Sequence, residues 1–302
     1  MSNLEITGLS HAYGPKRVLN DVNLRVGAGQ VVALVGPSGC GKSTLLRAIL
    51  GTHPPTEGTV MVGDKLVDCP TRDVGIVYQH YSLYEFLTAR QNVAFGLKLD
   101  QTSTPFRWFN PLAWRKLRRR HLEEADDFLA KVGLLPARDQ YPSEMSGGMR
   151  QRVAIAQALI MKPRVLLLDE PFGALDEATR EELQLMLLRL YAENVRAREE
   201  NREPPYTVII VTHELNEALF VSDRVIGLSQ HHADGANGAT IVYDRPAPVF
   251  KPEDPKDLTR FIAQKEELIG CVFSESQRRD HRDFITFWEE HDKAPAVAGA
   301  PM

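Results

Sequence analysis

Val31-Val-Ala-Leu-Val35, followed by Gly36-Pro-Ser-Gly-Cys-Gly41-Lys42-Ser43-Thr44, is the stretch on which the reading of this chain turns. Consecutive apolar, mostly β-branched residues bounded by glycine give the pattern of a strand buried on both faces. The loop after it fits G-x4-G-K-[ST], and Ser43–Leu50 reads as a helix, so the order is strand, glycine-rich loop, helix. Glycine lets such a loop wrap closely, with backbone N–H groups and the helix N-terminus turned toward phosphate oxygens. Lys42 supplies a cation for the β- and γ-phosphates, and the Ser43 hydroxyl is a hard-oxygen ligand suited to Mg²⁺. Gly36, Pro37, Ser38, Gly39, Cys40, Gly41, Lys42, Ser43 and Thr44 are therefore expected to hold a nucleotide.

Val165-Leu-Leu-Leu168 is a second buried strand, and it runs into Asp169-Glu170. Beside a phosphate loop, the first carboxylate can hold hydrated Mg²⁺ and the second can orient or deprotonate an attacking water. Val208–Val211 is a third buried strand. Thr179 to about Glu200 is a long amphipathic helix with Leu183, Leu185, Leu187, Leu188 and Leu190 near one face. Buried strands alternating with helices imply a mostly parallel sheet covered by helices. Before it, residues 4–26 alternate apolar and polar positions around Gly14-Pro15, which predicts antiparallel strands, and 58–78 predict further short ones. Leu83 to about Ile160 is expected to be helical, with breaks at Pro105, Pro111, Pro136 and Pro142. These features predict an α/β chain with a cassette at 1–230, its helical subdomain at about 83–160. An extension at 231–302 follows, helical at 257–267 and 273–291 and ending in a tail of disordered composition.

Composition narrows the classes. The net charge of −4 gives no global attraction for nucleic acid, and none is expected as a partner. No basic segment followed by an apolar run opens the sequence, so no secretory signal is expected. The apolar runs are strand-sized, well short of the roughly 18 residues of a spanning helix. Cys40, Cys69 and Cys271 are scattered, without metal-ligand spacing, and read as reduced thiols. Cys40 sits in the phosphate loop, where a positive environment is expected to favour its thiolate and make it a target for N-ethylmaleimide.

Met145-Ser146-Gly147-Gly148-Met149, upstream of the Asp169-Glu170 strand, resembles the LSGGQ signature of the ABC ATPases. Met149 in place of glutamine is the larger departure and removes a polar group expected near the ribose. Further positions match in order. Tyr13 resembles the aromatic that stacks on adenine, and Gln79 the glutamine that senses Mg²⁺ and water and communicates with a membrane partner. Pro171-Phe-Gly-Ala-Leu-Asp176 resembles the loop that touches the opposite subunit, and His213 the switch histidine that contacts the γ-phosphate.

The resemblance covers roughly residues 4–230 and implies a P-loop NTPase core with an N-terminal antiparallel β subdomain, an inserted α-helical subdomain and a short C-terminal helical extension. It implies ATP and Mg²⁺ as ligands, with Ser43, Gln79 and Asp169 at the metal. Glu170, His213 and Gln79 would be catalytic. Tyr13, residues 36–44, Ser146, Gly147, Gly148 and Asp176 would surround nucleotide in a head-to-tail dimer of cassettes. The strings at 87–97, 169–176 and 211–225 look like bacterial importer subunits, particularly those for nitrate, sulfonate or taurine. That implies a permease, a substrate-binding protein, and a peripheral position on the cytoplasmic side of the plasma membrane. A soluble non-transport ABC ATPase and an exporter subunit are the alternatives. Residues 101–121 (QTSTPFRWFNPLAWRKLRRRH) are longer, more aromatic and more basic than the family usually has there. An elaborated surface loop is one reading of them, and contact with the membrane partner or lipid headgroups is the other.

Overall fold

A computed structural model describes residues 2–79, 82–173, 175–230, 238–247 and 258–273. The expected second C-terminal helix beyond 273, the final tail and the segment 231–237 lie outside these residues.

Two sheets meet above a helical layer. Ser2–Tyr13 (β1) and Lys16–Gly27 (β2) form the antiparallel hairpin expected around Gly14-Pro15, with Tyr13 opposite Lys16. Glu57–Val62 (β4) pairs antiparallel with β1, and Lys65–Leu66 (β5) with β4, giving the order β2-β1-β4-β5. The larger sheet contains Val31–Val35 (β3), Val74–Val77 (β6), Val165–Asp169 (β7), Val208–Val211 (β8), Arg224–Leu228 (β9) and Ile241–Pro246 (β10). Its order is β10-β9-β3-β8-β7-β6, parallel throughout except for β10 against β9.

The period of two along these strands builds separate cores. Val32 and Leu34, Val165 and Leu167, and Ile209 and Val211 face a core shared with the small sheet and the helix Lys42–Leu50 (α1). Leu166, Leu168, Val208 and Ile210 face the opposite side, into a core filled by the helical subdomain and by Glu177–Glu199 (α6). Each strand is apolar on both faces because each face is covered.

The helical subdomain contains Ala89–Gln101 (α2), Thr104–Phe109 (α3), Pro111–Lys131 (α4) and Gly147–Leu159 (α5). The prolines act as helix starters: Pro105 and Pro111 lie in the first turns of α3 and α4, where a missing N–H costs nothing. Leu83–Leu87 is not helical, contrary to the expected start. Thr88 caps α2 in a reciprocal capping box with Gln91. Fully buried Asn92 accepts from the Tyr84 N–H and places Nδ2 within hydrogen-bond distance of the Tyr84, Leu87 and Thr88 carbonyls, which fixes this segment as a loop.

Leu215–Val221 (α7) and Leu258–Val272 (α8) complete the fold. Leu268 and Val272 of α8 are fully buried with Ala33, Val35, Leu219 and Val225, so α8 packs on the same sheet that carries the phosphate loop. Among the described residues no helix is long and apolar enough to cross a membrane.

Candidate functional site

The C-terminal ends of β3, β6, β7 and β8 gather the residues that the sequence singled out. After β3 the chain turns through Gly36–Gly41 into α1. Gly39 and Gly41 have φ of 76° and 110°, backbone that an L side chain rarely adopts. A Cβ at Gly41 would stand 2.8 Å from Leu19 Cδ2, so the loop lies directly on β2, the strand whose hairpin ends at Tyr13. Tyr13 is 42% exposed, with its ring edge-on to His11 at 4.8 Å.

Lys42 is 7% exposed and its Nζ donates to the Gly36 and Pro37 carbonyls at 2.7 and 3.0 Å. Ser43 is exposed, next to buried Thr44. Cys40 departs from expectation. It is fully buried, its Sγ 2.7 Å from where a Cβ on Gly36 would sit. Burial pushes its thiol up, and the nearby Lys42 ammonium only partly offsets this. The favoured species is the thiol rather than the thiolate, because desolvation outweighs one cation at 4.0 Å.

Asp169 closes β7 opposite Val211. Burial, and then the adjacent Glu170 carboxylate, raise its pKa, while Lys42 and Arg47 pull the other way. Glu170 has φ 47°, which turns the chain out of the sheet as its N–H still bonds the Val211 carbonyl at 2.9 Å. Its Oε1 lies 3.3 Å from His213 Nδ1. Gln79 reaches the same place, since a Cβ on Gly173 would be 3.6 Å from Gln79 Nε2 and 3.8 Å from Glu170 Oε2. Asp169 and Glu170 set two carboxylates side by side, with the Gln79 carboxamide next to Glu170, and hard-oxygen donors with excess negative charge are the chemistry that suits Mg²⁺.

A second cluster has its own supports. Ser146 caps α5, its Oγ accepting the Met149 N–H at 3.2 Å, and Met149 packs partly against the core. Gly147 opens the helix. A Cβ on Gly148 would come within 1.7 Å of Thr179 Cγ2. Thr179 in turn donates both its N–H and its hydroxyl to Asp176, at 2.9 Å each, and these bonds hold the exposed Asp176 carboxyl below the usual carboxylate range. The signature glycine and the 171–176 loop are thus joined through one threonine.

Sequence reasoning missed Arg180 and Glu217. Arg180 Nε lies 3.4 Å from buried Glu217 Oε1, and its Nη2 donates to the Leu175 carbonyl at 3.2 Å. Thr212 Oγ1 donates to Glu217 Oε2 at 2.9 Å. This chain ties the 171–176 loop to the residue before His213. Nothing in the local sequence marks it, because the partners come from different helices.

Known proteins resemble this chain in sequence and in fold. The family model for ABC transporter matches residues 19–173. The sulfate/thiosulfate import ATP-binding protein CysA of Synechocystis is 40% identical over 248 residues, 81% of this chain and 63% of that protein. The bicarbonate transport ATP-binding protein CmpD of the same organism is also 40% identical over 248 residues, 80% of each chain. The chain spans 63–66% of the length of several sulfate/thiosulfate relatives. Among solved structures, the dimeric post-hydrolysis state of the ATP-binding cassette MJ0796 bound to ADP and Pi matches with TM-score 0.61 and 28% identity, over 82% of this chain and all of that one. The cbiO1 protein of Clostridium perfringens shares the fold at TM-score 0.64 and 24% identity, over 80% and 88% of the two chains.

Proposed function

The chain belongs to the ABC transporter ATP-binding family, and on that premise we propose that it binds and hydrolyses ATP to drive import of a small polar solute through a separate permease. The observation that carries the reading is the meeting of Lys42, Asp169, Glu170, His213 and Gln79 at the carboxyl ends of one parallel sheet. Lys42 and the loop amides hold the triphosphate, with Tyr13 against the base. Ser43, Asp169 and Gln79 would hold Mg²⁺, which when bound supplies Lewis-acid neutralisation of phosphate charge. Glu170 accepts a proton from the attacking water, and His213, in contact with Glu170 Oε1, aligns that carboxylate and meets the γ-phosphate.

Ser146, Gly147, Gly148 and Asp176 act on the nucleotide held by a second copy, in a head-to-tail dimer whose closure completes both sites. The groove beside Gln79, about 340 Å³ and lined by Tyr78, Tyr84, Phe95, Leu99, Gln157 and Met161 among others, receives the permease. A substrate-binding protein would deliver solute on the far side of the membrane, with this subunit peripheral on the cytoplasmic side. The relatives' names specify sulfate, thiosulfate and bicarbonate, and we place the solute among small polar molecules that carry an oxyanion or sulfonate group, nitrate and zwitterionic taurine included.

Phosphate release by the purified protein tests the catalytic assignment. Glu170→Gln should retain ATP binding and lose turnover by about 10²–10⁴-fold, the usual share of a general base. Ser146→Arg should bind ATP as a monomer but fail to hydrolyse it. Normal hydrolysis by Glu170→Gln removes that residue from catalysis, and normal hydrolysis by Ser146→Arg removes the dimer.

A further inference from the structure

Residues 101–121 form a corner between α2 and α4 that neither the nucleotide site nor the permease groove uses. Six basic residues (Arg107, Arg115, Lys116, Arg118, Arg119 and Arg120) and no acidic one fall in this segment of a chain whose net charge is −4. At its tip Trp108, Phe109 and Leu112 are 80%, 82% and 79% exposed, large apolar side chains presented to solvent together. Arg119 has a partner on its own helix, Glu123 at 2.9 Å. Behind the tip lies a groove of about 610 Å³ with Lys98, Arg107 and Arg118 on its walls and no carboxylate in its lining. His121 also lines it, 3% exposed, with Nδ1 lacking a hydrogen-bond partner.

From this arrangement we propose that the α3–α4 corner is a docking surface for anionic lipid. Trp108, Phe109 and Leu112 enter the interfacial layer, and the cationic groove takes a headgroup phosphate. Aromatic tips backed by long cationic side chains match the two environments of that layer, apolar below and anionic above. Exposed apolar side chains alone would fit any partner, whereas a six-cation segment on an otherwise acidic chain selects an anionic one. The position is consistent, because Phe95 lines both this groove and the one assigned to the permease, so the two surfaces are continuous. The inference stands on the corner itself and survives if the transport reading fails.

Sedimentation of the full chain with protein-free phosphatidylcholine vesicles, with and without phosphatidylglycerol, tests it. Binding is expected only to the anionic vesicles, and it should weaken as salt rises. Arg115→Gln with Lys116→Gln should lower affinity about 25-fold, near fivefold per cation. Trp108→Ala with Phe109→Ala should lower it roughly tenfold or more. These side chains are exposed or solvent-facing, so thermal melting and ATP turnover in solution should match the parent and exclude misfolding. Equal binding to both vesicle types, no binding to either, or unchanged binding of both variants overturns the proposal. So does a parent that ignores anionic vesicles while the variants detach from co-purified permease, which would make the corner a protein contact.

Discussion

Gly148 sits where the fold leaves no room for a side chain. Its Cα faces Thr179 so closely that any Cβ would overlap the threonine methyl. Gly148→Ala is therefore expected to cost about 1–3 kcal/mol, the usual range for overpacking, before any effect on nucleotide. Adding Thr179→Ser, which deletes the obstructing methyl but keeps the hydroxyl to Asp176, should recover most of the loss in a thermal melt. If the double variant melts no higher than Gly148→Ala, the clash is not the cause. Cys40 gives a second expectation. Buried beneath the phosphate loop, it should resist N-ethylmaleimide while Cys69 and Cys271, both exposed, react. Intact-mass measurement of the native protein should plateau at two adducts, and reach three only on unfolding. Rapid labelling of Cys40 in the native protein would show that the loop opens. The sequence placed Cys40 in the right loop but misjudged its chemistry. Charge is visible in a string of letters, and the burial that outweighs it is not.

The packing of α8 decides whether the chain beyond residue 230 is an appendage. α8 packs tightly on Gly227 of β9, where a Cβ would lie 2.3 Å from Val272 Cγ2. Leu268 and Val272 have no exposed surface. Leu268→Ala should then lower stability by about 2–5 kcal/mol, as large-to-small changes in cores do. A truncation after Gln230 should melt many degrees lower or precipitate, in a thermal scan of soluble protein. A truncated chain that melts like the parent would mean instead that α8 serves a partner. The elements most legible in the sequence were those with a strong period or a diagnostic loop: β3, β7, β8, α6, and the hairpin around Gly14-Pro15. β10 escaped notice because only Tyr243 along it is buried, while the apolar Val242 beside it is exposed, which leaves almost no alternation to read. The loop before α2 escaped because its stiffness comes from Asn92, whose partners are backbone groups that no side-chain pattern announces. The residues proposed as catalytic were legible as motifs. The Arg180–Glu217–Thr212 chain behind them was not, since it exists only once α6 and α7 are packed.

For the molecule as a whole, stability should carry an acid-side signature from Asp223, at the start of the β9 segment. Its Oδ1 accepts the Val31 N–H at 3.2 Å, and burial pushes its carboxyl up to about 6. An unfolded aspartate titrates near 3.9, so between these values the folded protein keeps a proton that the unfolded chain has released. Stability contributed at this site therefore falls as pH rises from about 4 to 6, and the penalty persists above that. Asp223→Asn, which keeps an acceptor for Val31, should be more stable than the parent at pH 8 by about 1–3 kcal/mol and no more stable at pH 4. Denaturant midpoints at the two pH values measure this, and a difference independent of pH would assign the effect to something other than ionisation. The strand order has a further bearing on how the molecule comes into being. β3 lies between β8 and β9, pairing Val31 with Val208 and Val32 with Arg224. During synthesis the phosphate loop thus leaves the ribosome attached to a strand with no neighbour, and it must wait for almost the whole cassette to be translated. The β1–β2 hairpin and β4 can form their own sheet early. The nucleotide pocket cannot, so a nascent chain stalled before residue 208 carries every letter of the phosphate loop and no place to put a phosphate.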